Sequence, residues 1–193
     1  MIFYLKIYNV PTMYYEEIFI FASIMITLYL VRHGETEENA AHILQGQTPG
    51  HLSSLGREQA EKLRDILRPI FFDVLVSSDL KRCIDTADIL NQERKLPLHL
   101  TKLLRERDWG SFTGRMIPTL QGIAFPEDVE TLDTLLERST KFIAYLKEHF
   151  DGMTVLAIGH GLVDRAIQSV VFGKPMKDIE RMGNATYRIL EIK

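Results

Sequence analysis

The chain has 193 residues and a formal net charge of −3, which suits one domain with a full hydrophobic core. No long basic run is present, and this argues against a nucleic-acid partner. The single cysteine, Cys83, excludes an internal disulfide and a cysteine zinc cluster, so a reducing cytoplasm is the expected location.

The N-terminal segment, residues 1–24, is an apolar leader before a predicted domain at residues 25–193. Residues 18–25 resemble the apolar core of a signal peptide, but Glu16 and Glu17 stand where such a peptide carries positive charge. The apolar run stops at Arg32 and is too short for a span, so no stable membrane insertion is expected. We interpret Met25 as the natural start and the leader as having no catalytic role. An extra packed helix and a membrane-associated segment are the alternatives.

Short apolar strands alternate with amphipathic helices from residue 27 onward, which predicts a parallel α/β sheet. The predicted strands are residues 27–31, 72–76, 97–101, 154–158 and, at an edge, 185–192. The predicted helices begin at a cap within residues 52–54, after a cap formed by residues 77–79, near Leu132 and at Leu162. The stretch around residues 110–130 contains Gly and Pro without a clear period, so we interpret it as a loop or short lid.

Charged side chains follow the ends of these strands. Arg32 and His33 come after the first strand, and Arg82 lies one turn into the helix after the second. Glu106 lies a few residues after the third strand, and His160 follows the strand at residues 154–158. In an open parallel sheet, ligands bind at the carboxyl ends of the strands, so these five side chains are expected to share one site.

Two arginines, two histidines and a carboxylate at one sheet edge favour phosphoryl transfer. Arginine presents a planar, permanently charged fork that matches phosphate oxygens. A neutral imidazole attacks phosphorus, and a carboxylic acid protonates the departing oxygen. A lone histidine is more often structural, and little functional weight is given to the other four: His42, His51, His99 and His149.

The chain closely resembles the histidine phosphatase superfamily, also called phosphoglycerate mutase-like. The signature is Leu-Val-Arg-His-Gly-Glu-Thr at residues 30–36, and Asn39 and Gln45-Gly46 also match. The other matching segments are residues 52–60, 76–82, 104–110 and the Gly-His-Gly triplet at 159–161. The resemblance covers residues 25–193 and implies an α/β fold with three layers, α/β/α, around a mostly parallel central sheet.

The resemblance also implies roles for the site residues. His33 is the implied nucleophile, which forms a phosphohistidine, and Glu106 is the implied general acid and then base. The implied ligands of the phosphoryl oxygens are Arg32, Arg82 and His160, and the pocket is completed by Asn39, Gln45 and the backbone of Gly161. No metal or cofactor is implied.

Four functions from two classes, three enzymes and one binding module, follow from the residues and the resemblance. We expect an enzyme, a metal-independent phosphatase that hydrolyses a small phosphorylated metabolite, as a monomer or homodimer. The short stretch between Glu106 and Leu132 favours hydrolysis, because a small lid leaves water free to reach the phosphohistidine. An α-ribazole phosphatase of cobalamin synthesis and a phosphoglycerate mutase are the alternatives. A non-catalytic phosphate-binding module is the least favoured reading.

Overall fold

The fold is built on a five-stranded sheet. A computed structural model describes residues 25–193; the predicted leader at residues 1–24 lies outside the described residues. The strands are β1 (Ile26–Arg32), β2 (Val74–Ser78), β3 (Leu98–Thr101), β4 (Thr154–Gly159) and β5 (Tyr187–Ile192). Their order is β3-β2-β4-β1-β5, parallel except for β5, which pairs antiparallel with β1 at one edge. The predicted mostly parallel sheet is thereby confirmed.

Helices cover both faces of the sheet. They are α1 (Glu37–Ala40), α2 (Ser54–Leu67), α3 (Lys81–Asn91), α4 (Leu132–His149) and α5 (Gly161–Phe172). One core cluster joins α4 and α5 to one sheet face, and it includes Leu28, Phe142 and Val155. A second cluster joins α2 and α3 to the opposite face, and it includes Leu63 and Leu156. The predicted three-layer α/β/α arrangement follows from these two clusters.

The second strand lies two residues further along the chain than its apolar pattern predicts. Ser77 and Ser78 were expected to cap the following helix, but they are fully buried and form the end of β2. Helix α3 instead begins after Leu80, without a side-chain cap, so Arg82 lies in its first turn. The shift has a physical reason: both hydroxyls are hydrogen-bonded in the interior, so their burial leaves no unsatisfied polar group.

The loop after β1 packs directly on the start of α2. A Cβ atom on Gly56 would lie 1.9 Å from the carbonyl oxygen of Glu35, and one on Gly34 would lie 2.4 Å from the carbonyl oxygen of Gly56. Ser53, which lies in the predicted cap at residues 52–54, caps α2 by accepting a hydrogen bond from the backbone N–H of Gly56. The two glycines therefore fix the position of the loop that follows His33.

The stretch between β3 and α4 contains three short 3₁₀ helices, at Lys102–Leu104, Gly110–Phe112 and Ile117–Leu120. Arg138 of α4 holds its start by donating to the carbonyl oxygens of Leu103 and Arg105, at 3.0 and 2.6 Å. That this stretch acts as a lid stays a prediction. In the part of the chain from residue 25 onward, none of the helices combines the length and apolar character that crossing a membrane requires.

Candidate active site

The two histidines that follow strands lie side by side at the carboxyl edge of the sheet. β1 and β4 are neighbours in register, so Arg32 lies opposite Gly159, and the backbone N–H of His33 donates to the carbonyl oxygen of Gly159. The rings of His33 and His160 lie 5.0 Å apart between centroids. Sheet topology therefore brings together two histidines that are 127 positions apart in the sequence.

His33 is held as a neutral imidazole with one nitrogen free. Its Nδ1 lies 2.6 Å from the carbonyl oxygen of Gly34, and since a carbonyl only accepts, Nδ1 carries the proton and Nε2 keeps its lone pair. Burial, with the nearby charge of Arg82 and then of Arg32, lowers the pKa of His33 well below its usual value. The ring therefore stays neutral at neutral pH, and its Nε2 stays unprotonated, as a nucleophile must.

Arg82 is fixed by backbone carbonyls. Its Nη2 donates to Gly46 at 2.8 Å, and its Nη1 donates to Thr48 at 2.6 Å. Its Nε donates to Nδ1 of His160 at 3.1 Å. These bonds hold the guanidinium in one orientation at the inner end of a cleft of about 560 Å³.

His160 lies behind Arg82 rather than on the cleft wall. The ring is fully buried, and its Nε2 donates to the hydroxyl of Ser78 at 2.9 Å while Nδ1 accepts from Arg82. Burial and the charge of Arg82 lower the pKa of His160 well below its usual value. Because both ring nitrogens are engaged, the geometry supports an indirect role through Arg82. Direct contact of His160 with phosphoryl oxygens stays a prediction.

Arg32 keeps a donor without a partner. Its Nη1 donates to the carbonyl oxygen of Met182 at 2.7 Å, whereas its buried Nε has no hydrogen-bond partner among residues 25–193. The guanidinium lies against the backbone of Gly161, at the first residue of α5. Within residues 25–193, neither Arg32 nor Arg82 pairs with a carboxylate, so both charges are available to an anion.

Glu106 faces the same cleft from the segment after β3. Its Oε1 accepts from the backbone N–H of Arg107 at 2.8 Å, and its carboxylate also accepts from the N–H groups of Leu162 and Val163 at 3.2–3.3 Å. The segment is clamped to the end of β2 by Arg105, whose Nε and Nη2 each donate to Asp79 at 2.6 Å. The acid is therefore held in place on the cleft wall.

The three residues predicted to complete the pocket all line the cleft: Asn39, Gln45 and Gly161. The Oδ1 atom of Asn39 accepts from Thr36 and from Asn184, both at 3.3 Å, so its amide N–H groups are left for a ligand. The buried Oε1 atom of Gln45 has no hydrogen-bond partner. The four histidines that were given little weight do not line the cleft. Asp85, an acidic residue one turn after Arg82 in α3, does not line it either, and its carboxylate pairs with Lys81.

The sequence analysis missed Asp164, which lies in the first turn of α5. It is fully buried, and its Oδ1 packs on the backbone of Gly159. Neither carboxylate oxygen has a hydrogen-bond partner in the part of the chain that the structure describes. Burial, and then the negative charge of Glu106, raises the pKa of Asp164 well above its usual value. The available signal was an acidic residue on the apolar face of the helix predicted from Leu162 onward.

Replacing Asp164 by Asn is expected to stabilise the protein increasingly as the pH rises. Because the pKa is raised on folding, the native state holds a proton that the unfolded chain has lost, so wild-type stability falls with pH between the two pKa values. For one titrating group, the free energy of unfolding changes by at most about 1.4 kcal/mol per pH unit. Melting temperatures of both proteins from pH 5 to pH 8 test this, since the buried histidines contribute equally to both. A difference in Tm that is constant across this range would contradict the buried neutral carboxyl.

Comparison with known proteins decides the family. A family model described as the histidine phosphatase superfamily (branch 1) matches residues 28–193. The chain belongs to the histidine phosphatase superfamily. The predicted family and fold class are thereby confirmed, and the match covers the strands, helices and cleft residues described above.

Relatives within the superfamily carry several names. The chain is 30% identical over 172 residues to an uncharacterized phosphatase, PhoE, of Bacillus subtilis (strain 168), with 86% of this chain and 89% of that protein covered. It is 31% identical over 166 residues to a probable phosphoglycerate mutase, GpmB, of Salmonella arizonae, with 78% and 77% covered. The crystal structure of the α-ribazole phosphatase from Shigella flexneri is similar, with a TM-score of 0.77 and 27% identity over 84% of this chain and 89% of that one.

Proposed function

We propose that this member of the histidine phosphatase superfamily hydrolyses a small phosphomonoester through a phosphohistidine on His33, without a metal ion. One observation carries the proposal. A buried, neutral imidazole with a free Nε2 lies on a cleft whose two inner arginines have no carboxylate partner among residues 25–193. The arrangement supplies a nucleophile and an anion pocket at the same place.

In the proposed binding step, the phosphate dianion lies between Arg32 and Arg82. The unpartnered Nε of Arg32 and the amide N–H groups of Asn39 donate to its oxygens. The backbone N–H of Gly161 adds a donor at the positive end of α5, where an anion is favoured. These donors are preorganised by the backbone contacts described above, so they stabilise charge on the transferring group without reorganisation.

In the proposed chemical steps, Nε2 of His33 attacks phosphorus while the bond between phosphorus and the alcohol oxygen breaks. Glu106 gives its proton to that oxygen, so a neutral alcohol leaves. Water then attacks the phosphohistidine, Glu106 takes a proton from the water, and the phosphorus–nitrogen bond breaks to release inorganic phosphate and free imidazole.

Hydrolysis is favoured over transfer of the phosphoryl group to a second substrate. The stretch from Glu106 to Leu132 consists of short 3₁₀ turns, and its cleft-lining residue Ile117 is about half exposed, so this side of the cleft is open to water. A mutase instead needs the phosphohistidine protected from water until its acceptor is bound.

The lone thiol of Cys83 also favours a cytoplasmic location as part of this proposal.

Release of inorganic phosphate from a panel of small phosphomonoesters, without added metal, tests the proposal. The panel includes p-nitrophenyl phosphate, alkyl phosphates and α-ribazole phosphate, and a parallel assay measures mutase activity with and without 2,3-bisphosphoglycerate. We expect phosphate release from several members. Mutase activity without release would favour the mutase reading, strong preference for α-ribazole phosphate would favour that substrate, and no turnover would favour a binding module.

A further inference from the structure

A second group of cations, in addition to Arg32 and Arg82 of the phosphate pocket, lines the cleft at exposed positions. It consists of Lys177 and Arg181, on the segment between α5 and β5, and we call it the outer cationic patch. Both side chains are exposed and line the same cleft as His33. Within residues 25–193, neither side chain makes a hydrogen bond or an ion pair with another residue, so both charges face solvent.

The backbone of the patch is fixed in place. Arg165 of α5 donates from Nε to the carbonyl oxygen of Ile179 at 2.7 Å and from Nη2 to that of Lys177 at 3.0 Å. Ile179 and Met182 are buried, and the carbonyl oxygen of Met182 accepts from Arg32 of the phosphate pocket. The patch is therefore attached to the same framework as the reacting group, and binding there orders only two side chains.

The charge of the cleft is unbalanced in favour of anions. Among residues 25–193, it is lined by one carboxylate, Glu106, and by six cations: Arg32, Arg82, Arg107, Arg165, Lys177 and Arg181. The acidic neighbours of the patch do not compensate it, because Asp178 does not line the cleft and Glu180 pairs with Arg188 at 2.9 Å. When a phosphate dianion is bound by Arg32 and Arg82, the outer cationic patch still has no counterion. This positive charge is local to the cleft, since the net charge of the whole chain is −3.

Apolar side chains line the same cleft as the phosphate pocket and the outer cationic patch. They are Ile43, Leu44, Ile117, Leu132, Leu162 and Met176. The cleft volume of about 560 Å³ is in the range of sites that enclose a whole small molecule rather than a phosphate group alone. A ligand that fits these features carries more than one negative group and an apolar part.

We propose that the preferred substrates are phosphomonoesters with an apolar part and a second anionic group, a carboxylate or another phosphate, which Lys177 and Arg181 bind. The inference rests on the proposed function, because it assigns the second anionic group of a substrate whose phosphate is attacked by His33. Lys177 and Arg181 are substrate-binding residues in this account and take no part in bond making or breaking.

Two matched substrates test the outer cationic patch: 6-phosphooxyhexanoate, which ends in a carboxylate, and its neutral methyl ester. We expect the wild-type kcat/KM to be about 3- to 30-fold higher for the carboxylate, the range that two exposed charge pairs provide. The preference should weaken at high salt, because exposed charges are screened. A matching substrate with a terminal phosphate shows which of the two anionic groups is preferred.

The double variant Lys177→Ala/Arg181→Ala should reduce the carboxylate preference to about one, mainly through a higher KM. Lys174→Ala is the matched control, since Lys174 is an exposed cation of the same segment that does not line the cleft. The carboxylate preference of this variant should equal that of wild type. Equal kcat/KM values for both substrates in wild type, or a preference that survives in the double variant, would contradict the substrate-binding role of the outer cationic patch. Either result would leave the proposed hydrolase activity standing. Turnover of neither substrate by wild type would overturn the hydrolase and the patch together.

Discussion

Replacing His33 by Ala is expected to lower kcat for phosphate release by about 10⁴-fold or more, as the loss of a covalent nucleophile does in other enzymes. The imidazole is neutral, its Nδ1 is committed to Gly34, and among residues 25–193 no other imidazole lines the cleft. The measurement is steady-state phosphate release with p-nitrophenyl phosphate and with an alkyl phosphate.

The control for this variant is His51→Ala, because His51 is exposed and does not line the cleft. It should keep the wild-type rate. A thermal melt shows whether the His33 variant is folded, since its side chain is buried. A folded His33→Ala protein that keeps more than a tenth of the wild-type rate would rule out His33 as the nucleophile.

Replacing Glu106 by Gln should have an effect that depends on the leaving group. For an alkyl phosphate, kcat/KM is expected to fall by about 10²- to 10³-fold, the range of general acid catalysis. For p-nitrophenyl phosphate the loss should be below about tenfold, because nitrophenolate departs without a proton. The parameter kcat/KM reports the phosphorylation step, so the later use of Glu106 as a base does not enter the comparison.

Glu127→Gln is the matched control for Glu106, because Glu127 is an exposed carboxylate of the stretch between Glu106 and α4 and does not line the cleft. It should leave both values of kcat/KM unchanged. Equal losses for the two substrates in Glu106→Gln would argue that this side chain orients the substrate and does not transfer a proton.

The strands that build the site differed in how well the sequence predicted them. β1 and β4 lie within one residue of their apolar runs, because both are central strands whose side chains pack between two helical layers. The end of β2 was missed because Ser77 and Ser78 are polar yet buried. The hydroxyl of Ser78 finds its partner, His160, only in the folded protein, so no local pattern indicates that this residue is buried.

The candidate site residues were predicted from their positions after strands and from family motifs, whereas their contacts were not predictable. The carbonyl partners of Arg82 lie more than 30 residues away, in the loop that contains Gly46 and Thr48. The bond between His160 and Ser78 likewise depends on β2 and β4 being neighbours. Asp164 was missed for the same reason, since its burial depends on how α5 packs against the sheet.

A rapid-quench experiment with a ³²P-labelled phosphomonoester tests the phosphohistidine most directly. The intermediate is predicted to be a label that is stable in alkali and lost in acid, present within the first turnover, and located by peptide mapping on the peptide that contains His33. It should be absent from His33→Ala and retained in His51→Ala. Turnover without any labelled protein, or a label on His160 instead, would contradict the proposed mechanism.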